Sequence, residues 1–330
     1  MIKKKAIVTG GAGFIGSHMV DLLMSKNYHV IVIDSLVGGH KRNLKQHLKN
    51  KNFKLIKQDI CSLDSNSILF KNVDYVYHFA GIGDIVPSIE RPTDYMNVNV
   101  QGTVKVLEAS RKANVKKFVY AASASCYGLN NSVIDEKEKI NTEHPYALSK
   151  YLGERAALHW GKVYNLPVNV IRIFNAYGTR VRTTGAYGAV FGVFFKQKIK
   201  KKPLTVVGNG KQARDFIYVT DVANAFYLAS QTSKKSEIYN VGTGKPQKII
   251  DLAKLIGGKV QSIPTRPGEP FRSCANIKKI SSHLKWKPTV PFKEGVSKMM
   301  NEIEKWKDAP LWTPKKIKKA TQVWFKFMKK

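Results

Sequence analysis

The sequence predicts a doubly wound α/β protein, in which helices cover both faces of a parallel sheet. Short strand-like runs alternate with amphipathic, helix-like stretches through the first half of the chain. The strand-like runs are apolar almost throughout, which indicates strands buried on both faces. A chain of 330 residues, 43% of them hydrophobic, can form one large α/β unit or two domains that share an interface.

The predicted strands are AIVTG, HVIVID, FKLIKQD, VDYVYHFAG, KKFVYAAS and PVNVIRIFN, and the helical stretches include SHMVDLLMSK and VQGTVKVLEASRKA. After RIFNAYG, basic and glycine-containing segments precede a second strand–helix–strand stretch and a proline-rich stretch. We therefore expect residues 1–175 plus about 216–243 to form the sheet domain. Residues 176–215 and 244–330 are expected to form a smaller C-terminal α/β domain over the carboxyl edge of the sheet, where ligands bind in such folds.

Cysteine content and hydropathy argue against several classes of protein. Cys61, Cys126 and Cys274 lie far apart without metal-ligand spacing, which argues for a reducing compartment and against disulfides or a structural metal. No apolar run approaches the ~18–20 residues that cross a bilayer. The start, MIKKKAIVTGGAGFIG, reads as a strand entering a glycine loop rather than a signal peptide. We expect a cytoplasmic protein with no membrane span.

The chain carries 56 Lys and Arg against 23 Asp and Glu, a net charge of +33. Such a charge attracts polyanions, but the lysines are spread along the chain and no RNA-binding module is recognised, so no specific nucleic acid partner is expected. The tail TPKKIKKATQVWFKFMKK is the exception, because its apolar residues fit one helical face: Ile317, Ala320, Val323, Trp324 and Phe327. We expect this face to pack on its own domain or a partner chain, with membrane-surface binding as the alternative.

A glycine-rich stretch, VTGGAGFIGSHMV, follows the first predicted strand and opens a helix. Gly10, Gly13 and Gly16 allow the backbone to turn tightly and to approach a pyrophosphate. The helix start, at Phe14 and Ile15, offers N–H donors and a favourable dipole to the same group. The stretch therefore predicts a dinucleotide-binding loop.

Acidic residues end the second and third predicted strands. Asp34 can accept both ribose hydroxyls and would repel a 2′-phosphate, which favours NAD over NADP and completes the prediction of a Rossmann-type sheet. Asp59, followed by Ile60, ends the third strand and can reach the adenine. The other predicted cofactor contacts lie at or beyond the end of the fourth strand, where HFAG leaves room for the cofactor: Phe79, Ala80, Gly81 and Asn99.

Ser123, Tyr146 and Lys150 form the candidate catalytic set. Ser123 ends a strand, and HPYALSK places Tyr146 and Lys150 four residues apart, on one face of a helix. A free phenol has a pKa near ~10 and is a poor base at neutral pH. We expect the Lys150 ammonium, together with the nicotinamide, to lower the pKa of Tyr146. Both side chains are also expected to contact the cofactor, since lysine can hold the nicotinamide ribose.

At this point the chain resembles the extended short-chain dehydrogenase/reductase family, in its nucleotide-sugar epimerase/dehydratase branch. The resemblance covers nearly the whole length and rests on these motifs: TGGAGFIGSH, HFAG, NVxGT, SASCYG, PYALSK, RIFNAYG, ARDFIYVTDVANA, NVGTG and RPGEP. It implies tightly held NAD, a nucleoside-diphosphate sugar substrate and a homodimer formed through a helix pair.

Relatives that are 4,6-dehydratases carry an Asp-Glu pair just after the catalytic hydroxyl, where this chain has Ala124 and Ser125. The resemblance therefore favours a UDP-hexose 4-epimerase of polysaccharide precursor synthesis, in which Tyr146 takes the proton of the 4-hydroxyl and NAD acts without net redox change. The alternatives are a uronate 4-epimerase, a 2-epimerase or a 4-ketoreductase. A non-catalytic NAD-binding or polyanion-binding module is a further alternative.

The same resemblance implies the substrate contacts. Asn175 would hold the diphosphate side, with Phe174 near the nicotinamide, and Arg214 and Arg266 would clamp the diphosphate. Glu269 would reach the uridine ribose. At Ser273, a small residue leaves room for a 2-acetamido group, so N-acetylated hexoses are expected to be accepted. The stretch GIGDIVPS is similar to acetamido-sugar or uronate-type members.

Overall fold

The computed structural model describes residues 3–182, 190–265 and 270–328. Its strands are β1 (Lys5–Thr9), β2 (His29–Asp34), β3 (Phe53–Lys57), β4 (Tyr75–His78), β5 (Lys117–Ser123), β6 (Val168–Ile173), β7 (Asn175–Tyr177), β8 (Leu204–Val207), β9 (Ala213–Arg214), β10 (Phe216–Tyr218), β11 (Glu237–Val241), β12 (Gln247–Lys248) and β13 (Val260–Ile263). Its α-helices are α1 (Phe14–Ser25), α2 (Ile85–Glu90), α3 (Pro92–Met96), α4 (Thr103–Lys112), α5 (Pro145–Tyr164), α6 (Val190–Ile199), α7 (Val219–Gln231), α8 (Ile249–Ile256), α9 (Lys278–Leu284), α10 (Phe292–Met300), α11 (Pro314–Ala320) and α12 (Gln322–Met328).

A seven-stranded parallel sheet forms the centre of the molecule, in the order β11-β6-β5-β4-β1-β2-β3. Val8 on β1 lies opposite Val32 on β2 and Tyr77 on β4. The order reverses between β1 and β4, which opens a crevice at the carboxyl ends of the strands. The predicted fold class is confirmed, and each strand predicted before residue 175 is present.

Neighbouring residues of the central strands belong to different cores, which explains their unbroken apolar sequences. Ile7 packs into the cluster beneath α4 and α5, whereas Val8 packs into the cluster beneath α1 and α7. Both side chains are fully buried. Because successive side chains of a strand point to opposite faces, a strand covered on both sides needs an apolar residue at every position.

The second half of the chain adds an edge strand to this sheet and builds smaller sheets beside it. Strand β11 pairs with β6, and α7 packs on α1. Three two-stranded sheets lie outside the main one: β7 with β10, β8 with β13, and β9 with β12. A separate aromatic-rich core, with Phe195 against Trp306 at a ring distance of 4.8 Å, supports this region.

The C-terminal tail forms two helices, α11 and α12, separated at Thr321. Ile317 and Trp324 are buried and α12 contacts α2, so the tail packs on its own chain, as expected. The expectation of a single apolar face is wrong at Phe327, whose side chain is 63% exposed, because a helix interrupted at Thr321 does not continue one face. Within the described ranges, every helix is too short or too polar to cross a membrane.

Candidate active site

The glycine loop between β1 and α1 has the shape that a dinucleotide needs. Gly10 has a φ of +66°, and a Cβ there would lie 2.6 Å from the amide nitrogen of Ala80. A Cβ at Gly16 would collide with the carbonyl of Gly10. Gly13 begins α1 without a capping side chain, which leaves the first-turn N–H groups open to an anion. The loop therefore fits the pyrophosphate of NAD.

Asp34 ends β2 at the same crevice and is only 6% exposed. Its two carboxylate oxygens accept the N–H groups of Ala12, at 2.9 Å, and Leu36, at 2.8 Å. A carboxylate has about four acceptor positions, so these two bonds hold its orientation and leave lone pairs for hydroxyl donors. The geometry fits a ribose with free hydroxyls.

The other residues predicted to contact the cofactor near its adenine differ in their exposure and in their present contacts. Asp59 is exposed, and its side chain accepts the N–H of Cys61 at 2.9 Å, which begins a 3-10 turn. Ile60 is buried, and Phe79 packs on Phe226 at a ring distance of 4.4 Å. Asp59 thus already serves as a cap, and its contact with adenine stays a prediction.

Asn99 lies in a π-helical segment, Asn97–Gly102, and is fully buried. Its side-chain amide accepts the N–H of Ile82 at 2.7 Å and donates to the carbonyl of Ile82 at 3.0 Å and to Ser149 at 2.9 Å. Asn99 therefore joins the loop after β4 to the catalytic helix α5. This joining role was not foreseen from the sequence.

Ser123 and Tyr146 line one cleft at the carboxyl end of β5, and Lys150 lies one turn beyond Tyr146 on α5. Ser123 is the last residue of β5, and its hydroxyl is hydrogen-bonded to the Tyr146 phenol and lies 2.7 Å from the hydroxyl of Ser125. Tyr146 and Lys150 follow Pro145 in the first turns of α5. The structure therefore places Ser123 beside Tyr146 and keeps Lys150 on the same helix, and the catalytic role of the three side chains stays a prediction.

The expected lowering of the Tyr146 pKa is not found in this structure, where the pKa is raised above its ordinary value. Burial is the largest cause, the negative charge of Asp84 adds to it, and the hydrogen bond from Ser123 opposes it. Burial disfavours a phenolate. A positive charge brought close to the phenol is thus needed before Tyr146 can act as a base.

Lys150 lies one turn beyond Tyr146 on α5 and is the candidate for this charge, and its own pKa is shifted by burial. The side chain is 7% exposed, and its Nζ stands 4.6 Å above the ring of Tyr120. Burial lowers its pKa to about 8, while the carboxylate of Glu154 opposes that shift. A Cβ at Gly81 would lie 3.7 Å from the Lys150 Nζ, so Gly81 keeps space open beside the ammonium.

His144 holds the start of the catalytic helix and was missed by sequence reasoning. Its Nδ1 accepts the N–H of Ala147 at 3.2 Å, as an N-cap, and its ring stacks on Tyr146 at 5.9 Å. Burial lowers its pKa to about 4, which keeps the imidazole neutral and able to accept. A polar residue directly before Pro145 was the available signal, because proline favours the first helical position.

A cleft of about 440 Å³ opens beside two of the candidate catalytic residues, Ser123 and Tyr146. The predicted residues that line it are Ser123, Tyr146, Phe174, Asn175, Arg214 and Ser273. Asn175 is exposed and begins β7, whereas Phe174 is 6% exposed and packs near Tyr127. Arg266 and Glu269 lie outside the described residues.

Asp215 was overlooked in the sequence although it organises this cleft. It is fully buried, and its carboxylate accepts the N–H groups of Thr243, Gly244 and Ala275 at 2.6, 2.9 and 2.9 Å. These bonds tie the loop after β11 to the segment that carries Ser273. Asp215, the aspartate of ARDF, therefore positions the neighbours of Arg214 and Ser273. The motif alone did not indicate that its aspartate has this role.

The described residues contain no group of three or more His, Cys, Asp or Glu side chains arranged to hold a metal ion. The acidic, hydroxyl, phenol and ammonium groups at the cleft instead suit proton transfer at a substrate hydroxyl.

Comparison with known proteins agrees with this chemistry. Residues 6–242 match the model of the NAD dependent epimerase/dehydratase family. A putative UDP-glucose 4-epimerase of Methanocaldococcus jannaschii is 38% identical over 304 residues, which span 89% of this chain and 97% of that protein.

Solved structures of sugar-nucleotide enzymes share the fold. A UDP-N-acetylglucosamine 4-epimerase of Methanobrevibacter ruminantium, in complex with UDP-N-acetylmuramic acid, has a TM-score of 0.86 and 31% identity and covers 93% of this chain and 98% of its own. A UDP-glucuronic acid 4-epimerase of Bacillus cereus, with UDP-glucuronic acid and NAD, has a TM-score of 0.84 and 30% identity. It covers 91% of this chain and 99% of its own. The resemblance found in the sequence is confirmed, and the chain belongs to the NAD dependent epimerase/dehydratase family.

Proposed function

We propose that this protein interconverts UDP-hexoses at C4, with NAD as a resident cofactor. The observation that carries the proposal is that Ser123 and Tyr146 line one cleft, with Lys150 one turn beyond Tyr146 on α5 and with Ala124 and Ser125 where dehydratase relatives place their acid pair. NAD, when bound, accepts a hydride from a sugar carbon and returns it. Gly10, Asp34 and the loop around them hold NAD in the sheet domain, residues 1–175 plus about 216–243.

The protein's own residues handle the proton and the sugar. Tyr146 takes the proton of the 4-hydroxyl as a ketone forms at C4, and Ser123 donates a hydrogen bond to the same oxygen. Lys150 supplies the positive charge that offsets the buried phenolate. The ketose then presents its other face, and Tyr146 returns the proton to the oxygen of the epimer.

Ala124 and Ser125 favour epimerisation over water elimination. Both line the cleft directly after Ser123, where dehydratase relatives place their acid pair. Elimination between C5 and C6 needs a general acid and a general base at those carbons. The methyl group of Ala124 and the aliphatic hydroxyl of Ser125 serve neither role, so the ketose is reduced again rather than dehydrated.

The smaller part of the chain, residues 176–215 and 244–330, would bind the nucleotide. We assign Arg214, Arg266 and Asn175 to the diphosphate side of the substrate and Glu269 to the ribose. The Arg214 guanidinium donates to the carbonyl of Ala213 at 3.1 Å, which places it on the floor of the cleft. A forked guanidinium matches two phosphate oxygens at once.

Purified protein incubated with UDP-glucose, UDP-N-acetylglucosamine and their dTDP, GDP and CDP counterparts tests the proposal. The expected product is the C4 epimer, read by proton NMR, with no stoichiometric need for added NADH. Turnover that requires NADH and releases NAD would instead identify a 4-ketoreductase. Inversion at C2 would identify a 2-epimerase. Tight salt-sensitive binding to RNA without any sugar turnover would identify a polyanion-binding module.

Substitution of Ser273 by tyrosine should exclude acetamido sugars. Ser273 lines the cleft, and its backbone is fixed by an N–H bond to the carbonyl of Ala213 at 3.1 Å, so a larger side chain must enter the sugar space. We expect kcat/KM for UDP-N-acetylglucosamine to fall by about tenfold or more, with UDP-glucose changed by less than about threefold. The exposed Ser282→Tyr is the control. Equal losses for both sugars would count against the gate.

We further infer a homodimer. Leu148 and Leu152, one turn apart on α5, expose 37% and 38% of their surface, and a helix pair from each protomer would cover them. Light scattering should give twice the chain mass of 37.1 kDa. In Leu152→Glu, the measured mass should fall to that of a single chain. A wild-type mass of one chain contradicts the dimer.

The free cysteines Cys61, Cys126 and Cys274 suit a reducing compartment. On this basis we place the protein in the cytoplasm, supplying precursors for polysaccharide synthesis. Recovery of the protein in the cytoplasmic fraction of its own cells is expected, and recovery outside the cell contradicts this placement.

A further inference from the structure

One acidic side chain at the catalytic end of the cleft has no role in the chemistry above. Asp84 directly precedes α2 and has a φ of +75°, a conformation that few residues other than glycine adopt. The hydroxyl of Tyr95 donates to its backbone carbonyl, at 3.0 Å, and to that of Gly83. These bonds fix the backbone, so the position of the Asp84 carboxylate is set by the fold.

The Asp84 carboxylate is not used to cap the helix that it precedes. Its ion-pair partner is Arg182, at 3.9 Å, whose side chain is 55% exposed against 35% for Asp84. An exposed guanidinium at this distance is screened by solvent, which leaves much of the negative charge uncompensated on the inner side. Burial raises the pKa of the Asp84 carboxyl above its ordinary value, and the charge of Arg182 opposes that shift and favours the carboxylate form.

The negative charge of Asp84 affects the pKa of Tyr146, the proposed proton-transfer group. Asp84 raises the pKa of Tyr146 and of Tyr95, whose rings meet edge to face at 6.3 Å. The next residue, Ile85, lines the cleft itself. The other titratable or charged groups facing this corner are Arg182, Arg91 and Cys126. Asp84 is therefore an acidic group that raises the pKa of both Tyr146 and Tyr95.

A sugar that reacts at C4 must bring its 4-oxygen to Tyr146. Since C6 is two bonds from C4, the group at C6 enters the field of Asp84 in one of the two ring orientations that epimerisation requires. A hydroxymethyl group can donate a hydrogen bond to a carboxylate. A uronate carboxylate cannot donate at neutral pH, and like charges in a poorly hydrated cleft repel strongly.

We propose that Asp84 makes this site selective for neutral hexoses over hexuronates. The proposal rests on the proposed function and decides between the C4 epimerases that the sequence left open.

The test compares UDP-glucose with UDP-glucuronic acid in wild type, Asp84→Asn and the control Asp94→Asn. Asp94, on α3, pairs with Arg91 at 3.4 Å and is 47% exposed, so it matches the charge change away from the cleft. We expect wild type to prefer UDP-glucose by about tenfold or more in kcat/KM. Asp84→Asn should reduce that ratio about tenfold, because kcat/KM for UDP-glucuronic acid rises. Asp94→Asn should leave the ratio unchanged.

A second readout separates a charge effect from a merely structural one. Removing the negative charge should lower the pKa of Tyr146, so the kcat profile of Asp84→Asn on UDP-glucose should shift to lower pH. An unchanged sugar ratio in Asp84→Asn, or a wild type that prefers the uronate, would overturn the proposal. If wild type epimerises no sugar, the proposed function fails, and the ratio of the two dissociation constants, measured by calorimetry in the same variants, still decides the selectivity.

Discussion

Tyr146→Phe is expected to bind NAD and UDP-hexose normally and to lose about 10³-fold in kcat. The change removes only the phenolic oxygen, which lies close to Ser123 and is the group that we propose exchanges a proton with the substrate. General acid–base catalysis by one side chain contributes about 10²–10⁴-fold. The phenyl ring preserves the contacts with His144 and Tyr95, so the fold of the site should persist.

The measurement pairs steady-state kinetics with calorimetric binding of UDP. Tyr164→Phe, at the far end of the same helix and 46% exposed, is the matched control and should keep normal turnover. A Tyr146→Phe protein that retains turnover within about threefold of wild type would remove Tyr146 from the mechanism. Loss of UDP binding together with turnover would point to a folding defect, which circular dichroism would reveal.

Glu154→Gln is expected to lower the free energy of unfolding by about 3–5 kcal/mol, because it leaves a buried guanidinium without its counter-ion. Glu154 on α5 and Arg172 on β6 form a two-pronged ion pair with N···O distances of 2.9 and 2.5 Å and are 1% and 3% exposed. Arg172 also donates to the hydroxyl of Tyr127 at 2.8 Å. The pair fastens the catalytic helix to the sheet.

Chemical denaturation followed by tryptophan fluorescence gives the comparison. Glu294→Gln removes the same charge from an exposed pair with Lys298, at 2.7 Å, and should cost less than about 1 kcal/mol. Both variants change the net charge equally, so the difference between them reports burial. Similar small losses in the two variants would show that the buried pair contributes no more than a surface pair.

The central sheet could be predicted because its sequence is locally unambiguous. A strand such as HVIVID has apolar side chains on both faces, and glycines, acidic ends and helices recur at the spacing of a doubly wound sheet. Ser123, Tyr146 and Lys150 could be nominated because a strand end and a four-residue helical spacing place them without knowledge of distant contacts.

The features that were missed depend on contacts between distant parts of the chain. Asp215 binds residues 28 and 60 positions away, and no local pattern distinguishes such an aspartate from a surface one. The pKa of Tyr146 was expected to fall under the charges of Lys150 and the nicotinamide. Spacing along a helix does not reveal burial, which is the largest cause of the raised pKa in this structure. The apolar face predicted for the tail was wrong at Phe327, because a repeat of apolar residues does not show which of them meet the rest of the fold; Trp324 is buried and Phe327 is exposed.

The most direct test of the central claim follows the hydrogen at C4. UDP-[4-²H]glucose incubated with the protein in ordinary water should give UDP-galactose that keeps deuterium at C4, because the hydride leaves that carbon and returns to it. Proton NMR of the C4 position reads the outcome. Deuterium transferred to C6 would show dehydration, and deuterium lost to water would show deprotonation without hydride transfer; either result would contradict a 4-epimerase that works through a 4-ketose.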